Sequence, residues 1–325
     1  MISNRRAVCG LSLAGALVVF AHAAAQDWPA RPLRWIAAQP PGSALDITAR
    51  LLAERLVRSW GQQVVVDNRA GGQSVIGALA AARAAPDGYS YFVATPAAVA
   101  SNVYTFKSLP YDPVRDFMPV AMIGESPFVV AAQPKLPATT IGELVALERA
   151  QPGKLAMANQ GARTFGGMVG AMLNQASGMR LLQVPYNSPG LAIQDTLGGR
   201  AQVVLLSSGA LAAFLKRGDL RALAVTSARR VPGLEHVPTL SESFPGFEYS
   251  GWFALLAPSG TPPAIVQRVN RDLQRLLADP DVVQKLGDLG VMTEGAGTPE
   301  MLGKFLAAER VRWAKLVREI GLEPE

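Results

Sequence analysis

Ser43 and Asp46 follow a Pro-Pro-Gly turn that ends an apolar run over 33–38. This Ser-x-x-Asp spacing indicates a capping box at the start of a helix. The first backbone N–H groups of a helix have no intrahelical acceptor, and the helix dipole favours negative charge beside them. We therefore predict that Gly42, Ser43 and Ala44 offer successive N–H groups to a small anion such as a carboxylate.

The two polar side chains of this turn differ in their predicted roles. The Ser43 hydroxyl has two open roles, because it can cap the helix or contact a ligand. We predict that Asp46 braces the turn, since a carboxylate at the third helical position completes the capping box. If the Asp46 carboxylate pointed at the ligand instead, it would repel a bound carboxylate.

A second turn, Gly161 to Thr164, precedes an apolar stretch over 165–177 and indicates another helix start, with Thr164 as its cap. Two opposed anion sites would suit a dicarboxylate or an amino acid. Arg163 is predicted to hold a carboxylate through two parallel guanidinium N–H groups, the alternative being a solvated arginine at the rim.

Three further polar residues stand at or just after the ends of predicted strands. Thr95 ends an apolar strand, and Asn102 is predicted in the loop that follows it, where it contacts a ligand or stabilises its own turn. Tyr186 follows a strand and either lines the pocket, donates its hydroxyl or packs as an aromatic ring.

The elements that position these residues alternate between strand and helix. Strand, helix, strand, helix and strand follow one another over 33–95, which predicts a parallel α/β sheet with ligands at the carboxyl ends of its strands. A second such unit spans 141–226. The helices predicted after residue 262 lack partners there, so we assign them to the first unit.

We thus predict an α/β fold of two lobes with a ligand cleft between them. The first lobe is discontinuous, over 26–127 and 250–325, and the second covers 128–249. Crossing segments between two such lobes are typical of proteins that close around a ligand.

Residues 1–25 read as an export signal. Arg5 and Arg6 precede an apolar core over 11–20, and small residues before Gln26 predict cleavage there. The apolar run is shorter than a membrane-spanning helix requires. The chain has 31 Lys and Arg against 25 Asp and Glu, and the signal holds two arginines and no acid, so the mature net charge is 29 − 25 = +4. A mild positive balance suits an anionic solute, and no basic run indicates nucleic acid.

The residue inventory argues against an enzyme. The single Cys9 lies in the signal, and the mature chain keeps one histidine, His236, in a loop-like context. Thiol catalysis, a cysteine- or histidine-rich metal site and a serine–histidine triad are poorly supported. No Gly-x-Ser-x-Gly elbow or phosphate-binding Gly-Lys loop is present. We predict a binding protein without metal or cofactor.

Several short motifs, in order along the mature chain, carry a family resemblance. They are Trp28-Pro-Ala-Arg-Pro-Leu-Arg, Pro40-Pro-Gly with Asp46, Gly61-Gln-Gln-Val-Val-Val-Asp-Asn-Arg, Ala85-Pro-Asp-Gly-Tyr, Leu109-Pro-Tyr-Asp-Pro, Gln151-Pro-Gly-Lys-Leu, Val184-Pro-Tyr, Leu220-Arg-Ala-Leu-Ala-Val and Pro258-Ser-Gly-Thr-Pro. With these, the chain resembles the solute-binding receptors of tripartite tricarboxylate transporters, also called Bug receptors.

The resemblance implies a periplasmic receptor of the type II binding-protein fold. Such receptors present small carboxylated solutes to a membrane transporter. The implied ligand loops are 39–46, 95–102, 160–164, 186–188 and 206–208, which adds Ser207 to the candidates. We expect a monomer in the periplasm; a sensory receptor that signals to a membrane kinase and an exported hydrolase are the alternatives.

Overall fold

The computed structural model describes residues 28–325, so the predicted signal peptide lies outside the described residues. The strands are β1 (Leu33–Ala37), β2 (Val64–Asn68), β3 (Ser90–Ala94), β4 (Phe117–Ser126), β5 (Phe128–Ala132), β6 (Ala156–Asn159), β7 (Leu182–Pro185), β8 (Val203–Ser207), β9 (Arg221–Val225) and β10 (Gly251–Pro258). The helices are α1 (Ala44–Trp60), α2 (Val75–Ala82), α3 (Asn102–Thr105), α4 (Ile141–Ala150), α5 (Phe165–Ser177), α6 (Pro189–Leu197), α7 (Ser208–Arg217), α8 (Pro263–Leu277), α9 (Pro280–Asp288) and α10 (Pro299–Glu319).

The strands form two five-stranded sheets. The first has the order β2-β1-β3-β10-β4, with β1 parallel to β2 and β3, and β10 antiparallel to β3 and β4. The second has the order β7-β6-β8-β5-β9, with β6 parallel to β7 and β8, and β5 antiparallel to β8 and β9. The predicted α/β fold with two lobes is confirmed.

Helix α1 shows how the sequence specifies an element that carries the site. Leu45, Ala49, Leu52 and Leu56 recur at helical spacing and are fully buried against the first sheet. The helix ends at Gly61, whose φ of 65° is a left-handed conformation that glycine adopts without strain. These signals fix the start of α1 beside the end of β1.

Two helices were missing from the sequence prediction. Helix α7 follows β8 directly and begins within 206–208, where a ligand loop is expected. The expected loop over 95–102 is instead a π-helical turn, Ala97–Ser101, that leads into α3. Strand β4 pairs along its whole length with β10.

Helix α10 lies at the junction of the two lobes. It packs mainly on β4, and the indole of Trp313 also lies 5.6 Å from the Phe165 ring at the start of α5 in the second sheet's unit. Trp252 of β10 donates its indole N–H to the buried Glu309 carboxylate at 2.8 Å. The last helix therefore ties the first sheet to the turn that precedes α5.

Candidate functional site

The carboxyl ends of the parallel strands define one candidate crevice in each lobe. In the first sheet the strand order reverses between β1 and β3, and in the second between β6 and β8. Ligands of open α/β sheets bind outside the strand ends at such reversal points. Ala37 and Ala94 end the strands of the first crevice, and Asn159 and Ser207 end those of the second.

Asp46 organises the turn between β1 and α1. Its Oδ2 accepts the Gly42 N–H at 2.9 Å, and its Oδ1 accepts from Arg50 Nε and Asn68 Nδ2, both at 2.9 Å. Burial acts to raise the pKa of Asp46, but these hydrogen bonds and the Arg50 charge outweigh it and lower the pKa. The carboxylate is thus 3% exposed and fully engaged within the protein.

The prediction that three successive amides face a ligand is wrong for two of them. Gly42 donates to Asp46, and the Ser43 N–H lies 3.2 Å from the Pro40 carbonyl oxygen. Within residues 28–325, the amides of Ala44 and Leu45 donate to no protein acceptor. The Ser43 hydroxyl accepts from Asp46 N at 3.2 Å, which leaves its own hydrogen free to donate.

The sequence predicted Thr95 as a site residue but did not predict its partner, Ser74. The Ser74 hydroxyl lies 3.3 Å from the Thr95 hydroxyl, and both residues are more than nine-tenths buried at the carboxyl edge of the first sheet. Gln73 and Ser74 both have positive φ, which is uncommon outside glycine. The signal was present as a Gly-Gly turn followed by two polar residues after β2.

Asn102 does not lie in a loop as predicted. It begins α3, is fully buried and donates Nδ2 to the Gln73 carbonyl oxygen at 2.9 Å. Because the Asn102 side chain is enclosed and donates to the backbone of the 71–74 turn, it holds that turn in place.

The second crevice is built on the turn before α5. Asn159 accepts the Gly161 N–H at 2.8 Å, so this amide, like that of Gly42, is used internally. The Thr164 hydroxyl donates to the Gly161 carbonyl at 2.7 Å and accepts from Gly167 N at 3.2 Å, which makes Thr164 the cap of α5. The Phe165 amide, at the first helical position, donates to no acceptor within the described chain.

Gly167 is required by the close contact of this turn with its helix. A Cβ at that position would lie 1.9 Å from the Gly161 carbonyl oxygen, which no side chain can occupy. The glycine therefore lets the turn fold tightly over the first turn of α5.

Arg163 is turned away from the bidentate grip that the sequence predicted. One Nη donates to the Glu323 carbonyl at 2.8 Å, and the other lies 3.4 Å from Glu325 Oε2. The segment that receives it is anchored near α3, because Glu325 exchanges backbone hydrogen bonds with Thr105 and Lys107. Arg163 thus links the turn of the second lobe to the lobe that holds α3.

The two remaining candidates occupy strand ends of the second sheet. Tyr186 donates its hydroxyl to Asp195 Oδ2 at 2.9 Å, and burial, together with that carboxylate, raises the pKa of Tyr186. Ser207 is the last residue of β8, and the next residue, Ser208, donates to the Gly290 carbonyl across the lobes at 3.2 Å.

A groove of about 1900 Å³ lies elsewhere, along α7 between the 229–238 loop and α9. It contains none of the predicted ligand residues, and Arg229 and Arg230 on its wall are paired with Glu294 and Glu242. We place the candidate site at the strand ends, which carry the unpaired amides of Ala44, Leu45 and Phe165 and the hydroxyls of Ser74 and Thr95. Within residues 28–325, no group of three or more His, Cys, Asp or Glu side chains is arranged to hold a metal ion.

No helix of the described chain combines the length and apolar character needed to cross a membrane. Two α/β lobes with a helix start at the crevice of each define the two-lobed fold of type II periplasmic binding proteins. The family profile described as "Tripartite tricarboxylate transporter family receptor" matches residues 48–322, and the chain belongs to this family.

Similar proteins agree with this assignment. Protein BugT of Bordetella pertussis is 36% identical over 97% of both chains. The structure of Rpa4515 from Rhodopseudomonas palustris with adipate has a TM-score of 0.84 and 32% identity, covering 92% of this chain and 100% of that one. MatC (Rpa3494) from the same organism, with bound malate, has a TM-score of 0.77 and 27% identity, with coverage of 89% and 100%.

Proposed function

We propose that this protein is a periplasmic receptor that captures a small carboxylated solute between its lobes and delivers it to a tripartite membrane transporter. The observation that carries the proposal is the Asp46-braced start of α1, which leaves the Ala44 and Leu45 amides without protein acceptors. Family membership supports it, as do the adipate and malate in the structures of two similar proteins.

In this proposal the contacts to the solute come from both crevices. Ala44, Thr95 and the Ser43 hydroxyl serve the first lobe, and Ser207 with the amides beside Thr164 serves the second. Gly42, Asp46, Asn102 and Gly161 shape the loops, Tyr186 forms part of the wall, and Arg163 holds the second turn against the first lobe. The lobes comprise 26–127 with 250–325, and 128–249.

Residues 1–25 direct export to the periplasm, and the mature chain acts as a monomer without metal or cofactor. The family and fold are those of binding proteins, and we propose no catalytic activity.

Thermal unfolding with a panel of solutes tests the binding function. Dicarboxylates, aromatic carboxylates and nicotinate-like acids are compared with neutral and cationic analogues of similar size. A solute at 100 times its dissociation constant adds about 2.7 kcal/mol to the free energy of unfolding, which is a readily measured shift. Stabilisation by neutral or cationic solutes alone would contradict the proposal.

Delivery is tested separately from binding. Uptake of the radiolabelled solute that gives the largest shift is measured in cells with and without this gene. Loss of uptake in the deletion supports transport, whereas unchanged uptake with an altered transcriptional response to the solute would indicate the sensory role.

A further inference from the structure

Four consecutive residues before α2 have positive φ angles. The φ angles are 122° for Gly71, 53° for Gly72, 51° for Gln73 and 75° for Ser74. Glycine adopts such angles freely, whereas a side chain with a Cβ is strained there. Strained non-glycine residues concentrate where their side chains have a function. The positive φ angles of Gln73 and Ser74 therefore indicate that their side chains have a function.

The Ser74 side chain does not serve the helix that it precedes. It stands at the cap position of α2 but makes no capping hydrogen bond, and its hydroxyl instead lies 3.3 Å from that of Thr95. When one hydroxyl of the pair donates to the other, the second keeps a free hydrogen. The pair thus presents one donor at the end of β3.

The Gln73 side chain presents an acceptor. Its Oε1 is enclosed and accepts no hydrogen bond within residues 28–325. Leaving an enclosed carbonyl oxygen without a donor is unfavourable, so a donor group supplied by a bound molecule would be stabilised there.

The turn that carries these groups is held firmly in place. Asn102 donates to the Gln73 carbonyl oxygen at 2.9 Å, and α2 lies so close to β1 that a Cβ on Gly77 would meet Ala38 Cα at 3.0 Å. The turn is consequently fixed at the crevice between β1 and β3, the strands where the sheet order reverses.

We propose that Gln73, Ser74 and Thr95 form a neutral subsite that recognises a hydroxyl group of the solute. A hydroxyl both donates and accepts, so it can donate to Gln73 Oε1 and accept from the Ser74–Thr95 pair. A carboxylate only accepts and leaves Gln73 Oε1 without a donor. Within the described residues, no charged side chain forms a hydrogen bond with these three side chains. The subsite rests on the proposed function and narrows the solute class to hydroxycarboxylates.

Paired solutes that differ by one hydroxyl test the subsite. Affinities for malate and succinate, and for lactate and propionate, are measured by calorimetry on the mature protein and on Ser74→Gly, Ser74→Ala and Gln73→Gly. We expect the unaltered protein to prefer the hydroxylated member, and each variant to reduce that preference by about fivefold or more, which is about 1 kcal/mol.

The two Ser74 variants separate strain from recognition. Both remove the hydroxyl, but only glycine relieves the positive φ, so Ser74→Gly is expected to raise the melting temperature by about 2 °C or more while Ser74→Ala does not. The same preference in the variants as in the unaltered protein, or no preference for the hydroxylated solute in the unaltered protein, would overturn the subsite alone. Failure of every carboxylate to bind would instead contradict the proposed function, and the subsite with it.

Discussion

The Arg163 guanidinium lies 3.4 Å from the Glu325 carboxylate and donates to the Glu323 carbonyl at 2.8 Å, so that it joins the turn of one lobe to a segment anchored on the other. A receptor that closes around its solute is stabilised by such contacts between lobes, because they favour the closed state that holds the ligand. We therefore treat Arg163 as a residue that acts on affinity through the position of its turn.

Arg163→Ala is expected to weaken carboxylate binding about tenfold, or about 1.4 kcal/mol. Glu325→Gln is expected to weaken it about twofold, since an exposed ion pair contributes only about 0.2–1 kcal/mol. Calorimetry measures both, with the exposed Arg318→Ala on α10 as the control. Tighter binding by Glu325→Gln would show that Glu325 competes with the solute for Arg163. Unchanged affinity in Arg163→Ala would show that Arg163 has no role in carboxylate binding.

Gly167 offers a test of the second turn with a matched control. Gly167→Ala places a Cβ on the Gly161 carbonyl, so the turn must move, and we expect a loss of about 1–3 kcal/mol in stability and about tenfold in affinity. Gly142 also lies in a first helical turn, where a Cβ would lie 3.9 Å from its nearest neighbour, Thr140 Oγ1. Gly142→Ala should stabilise the protein by about 0.5–1 kcal/mol and leave binding unchanged. Equal effects of the two substitutions in urea unfolding would argue against the tight turn.

Asp46 makes the free energy of unfolding depend on pH in the acid range. Because its folded-state pKa is lowered, its contribution is fully present above the ordinary pKa of 3.8 and is lost as the pH falls from there through the folded-state pKa. We expect Asp46→Ala to cost about 2 kcal/mol at pH 7, and the difference from the unaltered protein to shrink at pH 3. Urea unfolding at both pH values measures this, with Asp46→Asn intermediate because one accepting oxygen remains. If Asp46→Ala destabilised the protein equally at both pH values, the Asp46 carboxylate would not be the group that braces the turn.

Glu309 is expected to have the opposite dependence. Burial raises its pKa, although the indole N–H groups of Trp252 and Trp313 and the charge of Arg312 act to lower it. The folded state therefore binds the proton more tightly, and stability falls as the pH rises from the ordinary pKa of 4.5 through the folded-state value. Glu309→Gln should raise the melting temperature at pH 7 and lose that advantage near pH 4. A lower melting temperature at pH 7 would show that the charged form is the stabilising one.

The sequence predicted the elements with strong end signals most accurately. Helix α5 has the predicted bounds of 165–177, because Thr164 caps its start. Helix α7 was missed since Ser207 does not cap it through its side chain and only Ser208 and Leu211 are buried along it. A helix with so narrow an apolar face has little periodic signal.

The candidate site was less predictable than the fold. The brace by Asp46 follows from local spacing, but its choice of the Gly42 amide and its bonds to Asn68 depend on tertiary structure. Likewise, the contact of Ser74 with Thr95 joins residues 21 positions apart and requires a backbone conformation that propensity argues against. Local patterns therefore locate the loops, whereas packing decides which of their groups remain free.

Carboxylate binding at the start of α1 is tested most directly by a substitution that removes one N–H group there. Ala44 is the first helical residue, where proline is tolerated, and Ser43 before it has the extended ψ of 159° that a following proline requires. Calorimetry with the carboxylate that stabilises the protein most compares Ala44→Pro with Ala44→Gly, which keeps the amide. We predict that Ala44→Pro binds about tenfold more weakly or worse, with an unchanged melting temperature, and that Ala44→Gly retains its affinity. Full affinity in Ala44→Pro would contradict the claim that this helix start holds the carboxylate.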